Sequence, residues 1–560
     1  MVDAALSSSG TTGGSRSRGP LSRVDAWSVG AVILAGLLLL PVAAVVYAAS
    51  GSSGDLWAHL ATTKLPLYVG NTLALMVGVG VVAAVFGVSS AWIVYRYDFF
   101  GREVLQWILL LPAAVPAYIV AYTLTDFLEY AGPVQGLVRD VGGFSSAREY
   151  WFPEIRSLGG AVLVMGAVLY PYVYVMARTA FSQTPSSLYE VAIISDRSVF
   201  RTVALPMARP AIVGGLTLVL METVSDFGTV EYFAVETLTL GIFNVWIGMH
   251  SLAAAAQIAL VGFVFILVLL TIEQRARAER RFTDPASRAL PLPRQKLSPL
   301  GTLGAIVACL LPIGIGFILP VSVLVGFILE GSSLAPNATM LAAAQNSIML
   351  AGGMAILVVA MSAYLGIVAT YRGGRRLRLL TQIASVGYAF PGAILAIGAV
   401  TVGGAFDALS VRVLSGGLGI ETGGWLSGSI GLVMIACAVR FKAIGYGAVG
   451  AGLARVPENM MHASRTLGRG FAESTRRVVV PLLWRALLAG ALLVFVDVMK
   501  ELPMTLLLRP FGFETLPTFV YQYAKDELLE EAALPALAIL VTGIIPVVLM
   551  NATLERLNRR

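Results

Sequence analysis

The chain has 560 residues, 57% of them hydrophobic and 13% charged, with a mean hydropathy of +0.81. That much apolar surface excludes a soluble globular protein and reads as an all-α polytopic membrane protein. The net charge of +7 is no nucleic-acid signal, because the basic residues sit in loops beside apolar runs, where anionic lipid and the insertion machinery account for them.

In chain order, residues 1–23 are rich in Ser, Gly and Arg and are expected to form a disordered cytoplasmic tail. A spanning helix needs ~20 mostly apolar residues. Twelve runs qualify: 27–48, 67–94, 104–127, 158–178, 210–231, 253–273, 298–326, 345–370, 379–403, 427–447, 484–508 and 533–552. The first is longer than a signal-peptide core and reads as an uncleaved helix, although Ala48-Ala49-Ser50 leaves a cleavage site open. Residues 274–297 carry seven Lys or Arg and three prolines and read as a cytoplasmic linker between two six-helix domains, 24–273 and 298–560. Cys309 and Cys437 lie inside apolar runs and suit buried packing better than a disulfide or a metal. Tyr170, Tyr172 and Tyr174, beside Pro171, read as packing or interface residues. His59 and His250 fall in loops without metal-ligand spacing.

Lys and Arg set the expected orientation. With the N-terminus inside, eight of the 39 fall on the outer side and the rest on the cytoplasmic side, so both termini are expected in the cytoplasm.

The halves repeat at a near-constant offset. Asn71-Thr72 matches Asn346-Ser347, and Pro206 matches Pro481, each 275 positions on; Glu236-Thr237-Leu238 matches Glu514-Thr515-Leu516, 278 on. Six helices per half puts both halves in one orientation, a parallel repeat with a pseudo-two-fold axis along the membrane normal.

Two cytoplasmic loops, 183–209 and 455–485, are versions of one element. The first has Glu190-Val191-Ala192, Asp196, Phe200 and Leu205-Pro206; the second has His462-Ala463-Ser464, Gly468, Phe471 and Val480-Pro481. Both read as short helices lying along the membrane and ended by a proline at the start of the next span, with Gly468 suited to a left-handed turn between two pieces. A basic loop repeated in both halves points to a docking surface rather than a topology signal alone.

These loops resemble the EAA motif of ABC-importer permeases: Glu-Ala-Ala, a Gly, a Phe and a Leu-Pro. The match departs from the pattern in opposite ways, with Asp196 in place of the glycine in one loop and His462 in place of the glutamate in the other. The resemblance implies that Glu190, Ala192, Asp196, Phe200 and Pro206, with His462, Ala463, Gly468, Phe471 and Pro481, couple to a homodimeric cytoplasmic ATPase. That ATPase would bind the ATP and Mg, leaving this chain without a cofactor or a stable metal. It also implies a substrate-binding protein on the outer loops 128–157, 232–252 and 509–532. Met221-Glu222-Thr223-Val224-Ser225-Asp226-Phe227-Gly228 and Met499-Lys500-Glu501-Leu502-Pro503 resemble stretches of fused ferric-iron permeases, relatives of the thiamine and spermidine/putrescine permeases.

Acidic residues inside spans are costly and face a pathway or a partner. Glu222 and Asp226 are spaced i, i+4 and so are expected on one helix face, as are Asp497 and Glu501, 275 positions on. The pairs would converge on a central path whose hard oxygens suit a hard cation, with Lys500 able to neutralise either acid of the second pair. The alternative is that they pair with Lys500 or the interfacial Tyr232, or lie in the outer headgroup region.

No Gly-x-x-x-x-Gly-Lys-[Ser/Thr] loop and no nucleophile–base set occurs in the sequence. The reading is therefore the non-enzymatic membrane subunit of an ATP-driven importer in the bacterial inner membrane, with ferric iron the expected cargo and thiamine or spermidine/putrescine the alternatives. An ion-coupled secondary carrier would need no docking loops, and nothing resembles a channel filter.

Overall fold

The computed structural model describes residues 25–278, 294–330, 337–418 and 424–558. The expected tail 1–23 and most of the expected linker lie outside these. Among the described residues ten helices are long and apolar enough to cross a membrane, eleven with one bent pair counted. In order they are Ala26–Ala49, Leu65–Arg96, the bent pair Arg102–Ala114 and Ala117–Gly142, Leu158–Gln183, Phe200–Ser225, Leu252–Ile272, Pro299–Leu329, Ala338–Tyr371, Gly392–Leu414, Ile430–Leu453 and Phe471–Met499. The twelfth expected span coincides with the helix Leu529–Asn558, which falls outside that count. We number the spans first to twelfth in this order.

Local chemistry sets several of the starts. Ser157, Ser298, Asn337 and Ser429 each accept a hydrogen bond from a first-turn amide of the fourth, seventh, eighth and tenth spans. Away from the packed interior, the spans expose rows of branched apolar side chains such as Ile33, Val77 and Ile356. This suits helices whose outer solvent is hydrocarbon.

Two spans differ from their sequence expectation. The third was expected to run unbroken over 104–127 and the ninth over 379–403. Each is instead interrupted, by a 3-10 turn at Leu111–Ala114 or Val386–Ala389, followed by an extended residue, Val115 or Phe390. The next residue is Pro116 or Pro391, 275 positions apart. A proline bars its predecessor from the helical region and removes an amide, so the break is written twice. In the third span the two pieces meet at 97°.

Each half lends its first helix to the other. The first span packs on the ninth so closely that a Cβ on Gly398 would lie 2.0 Å from the Pro41 carbonyl oxygen. The seventh span approaches the fourth in the same manner, with a Cβ on Gly316 falling 2.4 Å from the Ala167 oxygen. Tyr364 donates to the Trp27 carbonyl at 2.9 Å, and Asp25 pairs with Arg372. The two halves therefore form one interlocked body.

Candidate functional site

The broken third and ninth spans, with the fourth, fifth, tenth and eleventh, enclose a cavity of about 170 Å³ between the halves. Its lining includes all five sequence-selected charges, Glu222, Asp226, Asp497, Lys500 and Glu501, together with Tyr118, Tyr172, Tyr388 and Arg440. The acids do converge, but they are of two kinds.

The expectation that each acidic pair shares a helix face needs correction. The fifth span ends at Ser225 and the eleventh at Met499, so Asp226 and Glu501 leave the helix. Each carboxylate instead caps the short helix that follows. Asp226 accepts from the Thr229 amide (3.0 Å), the Thr229 hydroxyl (3.1 Å) and the Val230 amide (3.2 Å). Glu501 accepts from the Met504 and Thr505 amides (both 2.9 Å) and the Thr505 hydroxyl (2.8 Å). Open amides at a helix start draw a carboxylate strongly, and three donors occupy most of its acceptor sites. The remaining two acids are less engaged. Glu222 accepts one bond from the Tyr388 hydroxyl at 2.6 Å, and Asp497 lies 3.7 Å from Lys500.

Sequence reasoning grouped the three tyrosines of the fourth span together; the structure separates them. Tyr170 and Tyr174 are buried and donate to the carbonyls of Leu109 (2.8 Å) and Gln106 (3.0 Å), beside the break in the third span. Tyr172 lines the cavity. Arg440 and Lys442 were missed, although a charge inside an apolar run was the signal already used for the acids. Lys442 is fully buried and donates to the Thr381 carbonyl at 3.1 Å. Among the described residues no three His, Cys, Asp or Glu side chains are grouped as a metal site.

The repeated Asn-Thr/Ser and Glu-Thr-Leu segments are two ends of one clamp. The Asn71 side chain donates to the Glu236 carbonyl (3.0 Å), and the Thr72 hydroxyl accepts from the Leu238 amide (3.0 Å). In the other half Asn346 donates to the Glu514 carbonyl (2.9 Å), and Ser347 accepts from the Leu516 amide (2.7 Å). The clamp ties the segment after each acidic cap to the second helix of its own half.

The two repeated loops also share much of their local structure. The first contains the helix Ser186–Ile194, with Glu190 exposed and Ala192 buried. The second contains Glu458–Thr466, with His462 and Ala463 exposed and Ser464 buried. The buried small residue matching Ala192 is thus Ser464, whose hydroxyl lies 2.8 Å from that of Ser474. Each helix stops on a left-handed residue, Gly468 at φ 83° and Asp196 at φ 51°. Asp196 therefore does the work of the missing glycine, since Asp is among the few side chains that visit this region. The prolines do not end the loop helices, as expected from sequence. A π-turn, Phe200–Ala204 or Thr475–Val479, runs straight into the span, with Pro206 and Pro481 in its first turn. The wider turn accommodates a residue without an amide. Phe200 packs on Trp92 (5.2 Å between centroids) and Phe471 on Trp27 (5.4 Å), so each loop is seated on a spanning helix. Burial raises the Tyr189 phenol, whose hydroxyl donates to the Phe181 carbonyl at 3.2 Å and fastens the first loop helix to the fourth span. Around Glu190 the outward side chains Leu188, Val191, Ile193 and Ile194 form an exposed apolar face, the mark of an interaction surface.

Both halves thus carry the same loop and contribute to one cavity. Residues 83–281 and 362–560 each match the binding-protein-dependent transport system inner membrane component. The chain belongs to this family. It is similar to the Fe(3+)-transport system permease protein FbpB 2 of Haemophilus influenzae, at 24% identity over 86% of this chain and 88% of the relative. A probable molybdenum ABC transporter permease of Haloferax volcanii is 31% identical over 42% of this chain and 86% of its own length. A probable sulfate transport system permease of Chlorokybus atmophyticus is 27% identical over 38% and 73%. The protein is thus a multi-pass permease of an ABC transporter, a transport subunit and not an enzyme; membership implies an ATPase and a substrate-binding protein as partners.

Proposed function

We propose that this permease imports ferric iron across the bacterial cytoplasmic membrane, with both termini in the cytoplasm. A homodimeric ATPase, itself binding ATP and Mg, would dock on the loops around Glu190 and His462, and a ferric-binding protein would deliver the cargo from outside. The observation that carries the iron reading is the lining of the shared cavity, where Glu222 and Asp497 come from equivalent places in the two halves and retain unused oxygens. Hard carboxylate oxygens suit a hard cation. ATP-driven closure of the ATPase would pull the loop helices together and, through the continuous fifth and eleventh spans, reshape the cavity.

A second reading, an oxyanion importer, is favoured by Arg440 in the same lining. Uptake of radiolabelled ferric iron, molybdate and sulfate by cells carrying the permease with its partners separates the two. Iron uptake that falls with Glu222→Gln and Asp497→Asn supports the first reading; molybdate or sulfate uptake without iron replaces it with the second.

A further inference from the structure

The structure points to an oxyanion subsite at Arg440, within the cavity between the halves; this inference rests on the reading above that the cavity is the cargo's path. Arg440 is the eleventh residue of the tenth span, well away from either helix end. It is 8% exposed, and its Nε and Nη1 are buried without a hydrogen-bond partner. A buried guanidinium with open donors is costly; Asp497 and Glu501 are close enough to attract it, but neither accepts a hydrogen bond from its Nε or Nη1. Asp226 and Glu501 are each held by three donors at a helix start, Asp497 lies against Lys500, and Glu222 accepts from Tyr388.

A second observation adds to the positive character beside Arg440. A Cβ on Gly392 would lie 2.9 Å from Arg440 Nη1, so the guanidinium rests against the first residue of the helix Gly392–Leu418. The first amides bonded back along this helix are those of Ile394 and Leu395, both to the Pro391 carbonyl, so the amides of Gly392 and Ala393 precede them. A guanidinium that lines the cavity thus rests against the positive end of a helix dipole. Two positive groups placed together fit an oxyanion that accepts from the guanidinium and is favoured by the helix start. In the other half the tenth-span position is taken by the fourth span's Met165, Val168 and Leu169, so the subsite is one-sided. The cavity then offers carboxylates from both halves and a guanidinium from one, which matches a metal ion travelling with an oxyanion as well as an oxyanion travelling alone.

The test is an anion titration of the permease–ATPase complex in lipid nanodiscs, with sodium molybdate and inorganic phosphate as probes and thermal stabilisation as the readout. Wild type is expected to show saturable stabilisation by at least one probe. Arg440→Gln should raise the half-saturating concentration at least about tenfold, since it removes hydrogen bonds to a charged group. Arg440→Lys, which keeps the charge but loses the fork, should fall between them and guards against a folding defect in the first variant. Equal half-saturation in wild type and Arg440→Gln, or no saturable stabilisation by either anion, overturns the subsite. Uptake by the complete reconstituted importer then identifies the anion's source. Molybdate carried without iron makes it the cargo, and ferric uptake that requires phosphate makes it the companion of the metal; either supports the subsite. Absence of ATP-driven uptake of any of these by wild type would overturn the cargo path, while the titration would still decide the anion site on its own.

Discussion

Glu501→Ala should damage the fold far more than Glu222→Gln, although the two carboxylates line the same cavity. Glu501 is 6% exposed and accepts from two amides and one hydroxyl. A hydrogen bond to a charged acceptor contributes about 1.5–3 kcal/mol. The three share one carboxylate and are not additive, and the Thr505 hydroxyl can turn to another partner. The expected loss is about 3–5 kcal/mol, the range for breaking a buried charged network. Glu222→Gln keeps an oxygen for the Tyr388 hydroxyl, so it should cost about 1 kcal/mol or less. The assay is equilibrium unfolding of the purified permease by SDS in mixed micelles, with transport measured on the same preparations. Glu501→Ala should lower the unfolding midpoint and lose transport with it; Glu222→Gln should lose transport with the midpoint nearly unchanged. Equal destabilisation by both, or a fully stable Glu501→Ala, would refute the division of the acids into caps and path residues.

Other substitutions probe the rest of the account. Asp196→Gly should raise stability by up to about 1 kcal/mol by relieving a left-handed side chain, whereas Gly468→Val should cost about 1–2 kcal/mol; unfolding midpoints check both. Thr72→Val and Ser347→Val each strip the acceptor from one buried clamp amide and should cost about 1–3 kcal/mol, with similar values if the two clamps are equivalent; a one-sided effect would contradict the repeat. Glu190→Lys should weaken ATPase binding more than His462→Ala, read as pull-down of the ATPase from detergent extracts.

The sequence carried the repeat, most spans and the loops, because hydropathy, proline placement and the 275-residue offset are one-dimensional signals. It also placed five charges that do meet in one cavity. What it did not carry was the end of a helix seen from inside. Asp226 and Glu501 look like continuations of their spans by spacing, yet the amides of Val230 and Met504 draw them out as caps. The breaks at Pro116 and Pro391 were written at the repeat offset and were legible in principle. Arg440 was legible as a charge in an apolar run, but that its Nε and Nη1 find no hydrogen bond is a fact of three dimensions. Asp196 seemed a departure from the loop pattern, and only its φ of 51° shows that the turn is preserved.

The central claim is that an external ATPase drives transport through the two loops. Its most direct test is uptake of radiolabelled ferric iron into proteoliposomes holding the permease, its ATPase and its binding protein, with and without ATP, for wild type and Glu190→Lys. The account predicts ATP-dependent uptake that falls with the substitution while the permease remains folded. Uptake that proceeds without ATPase or ATP would contradict it.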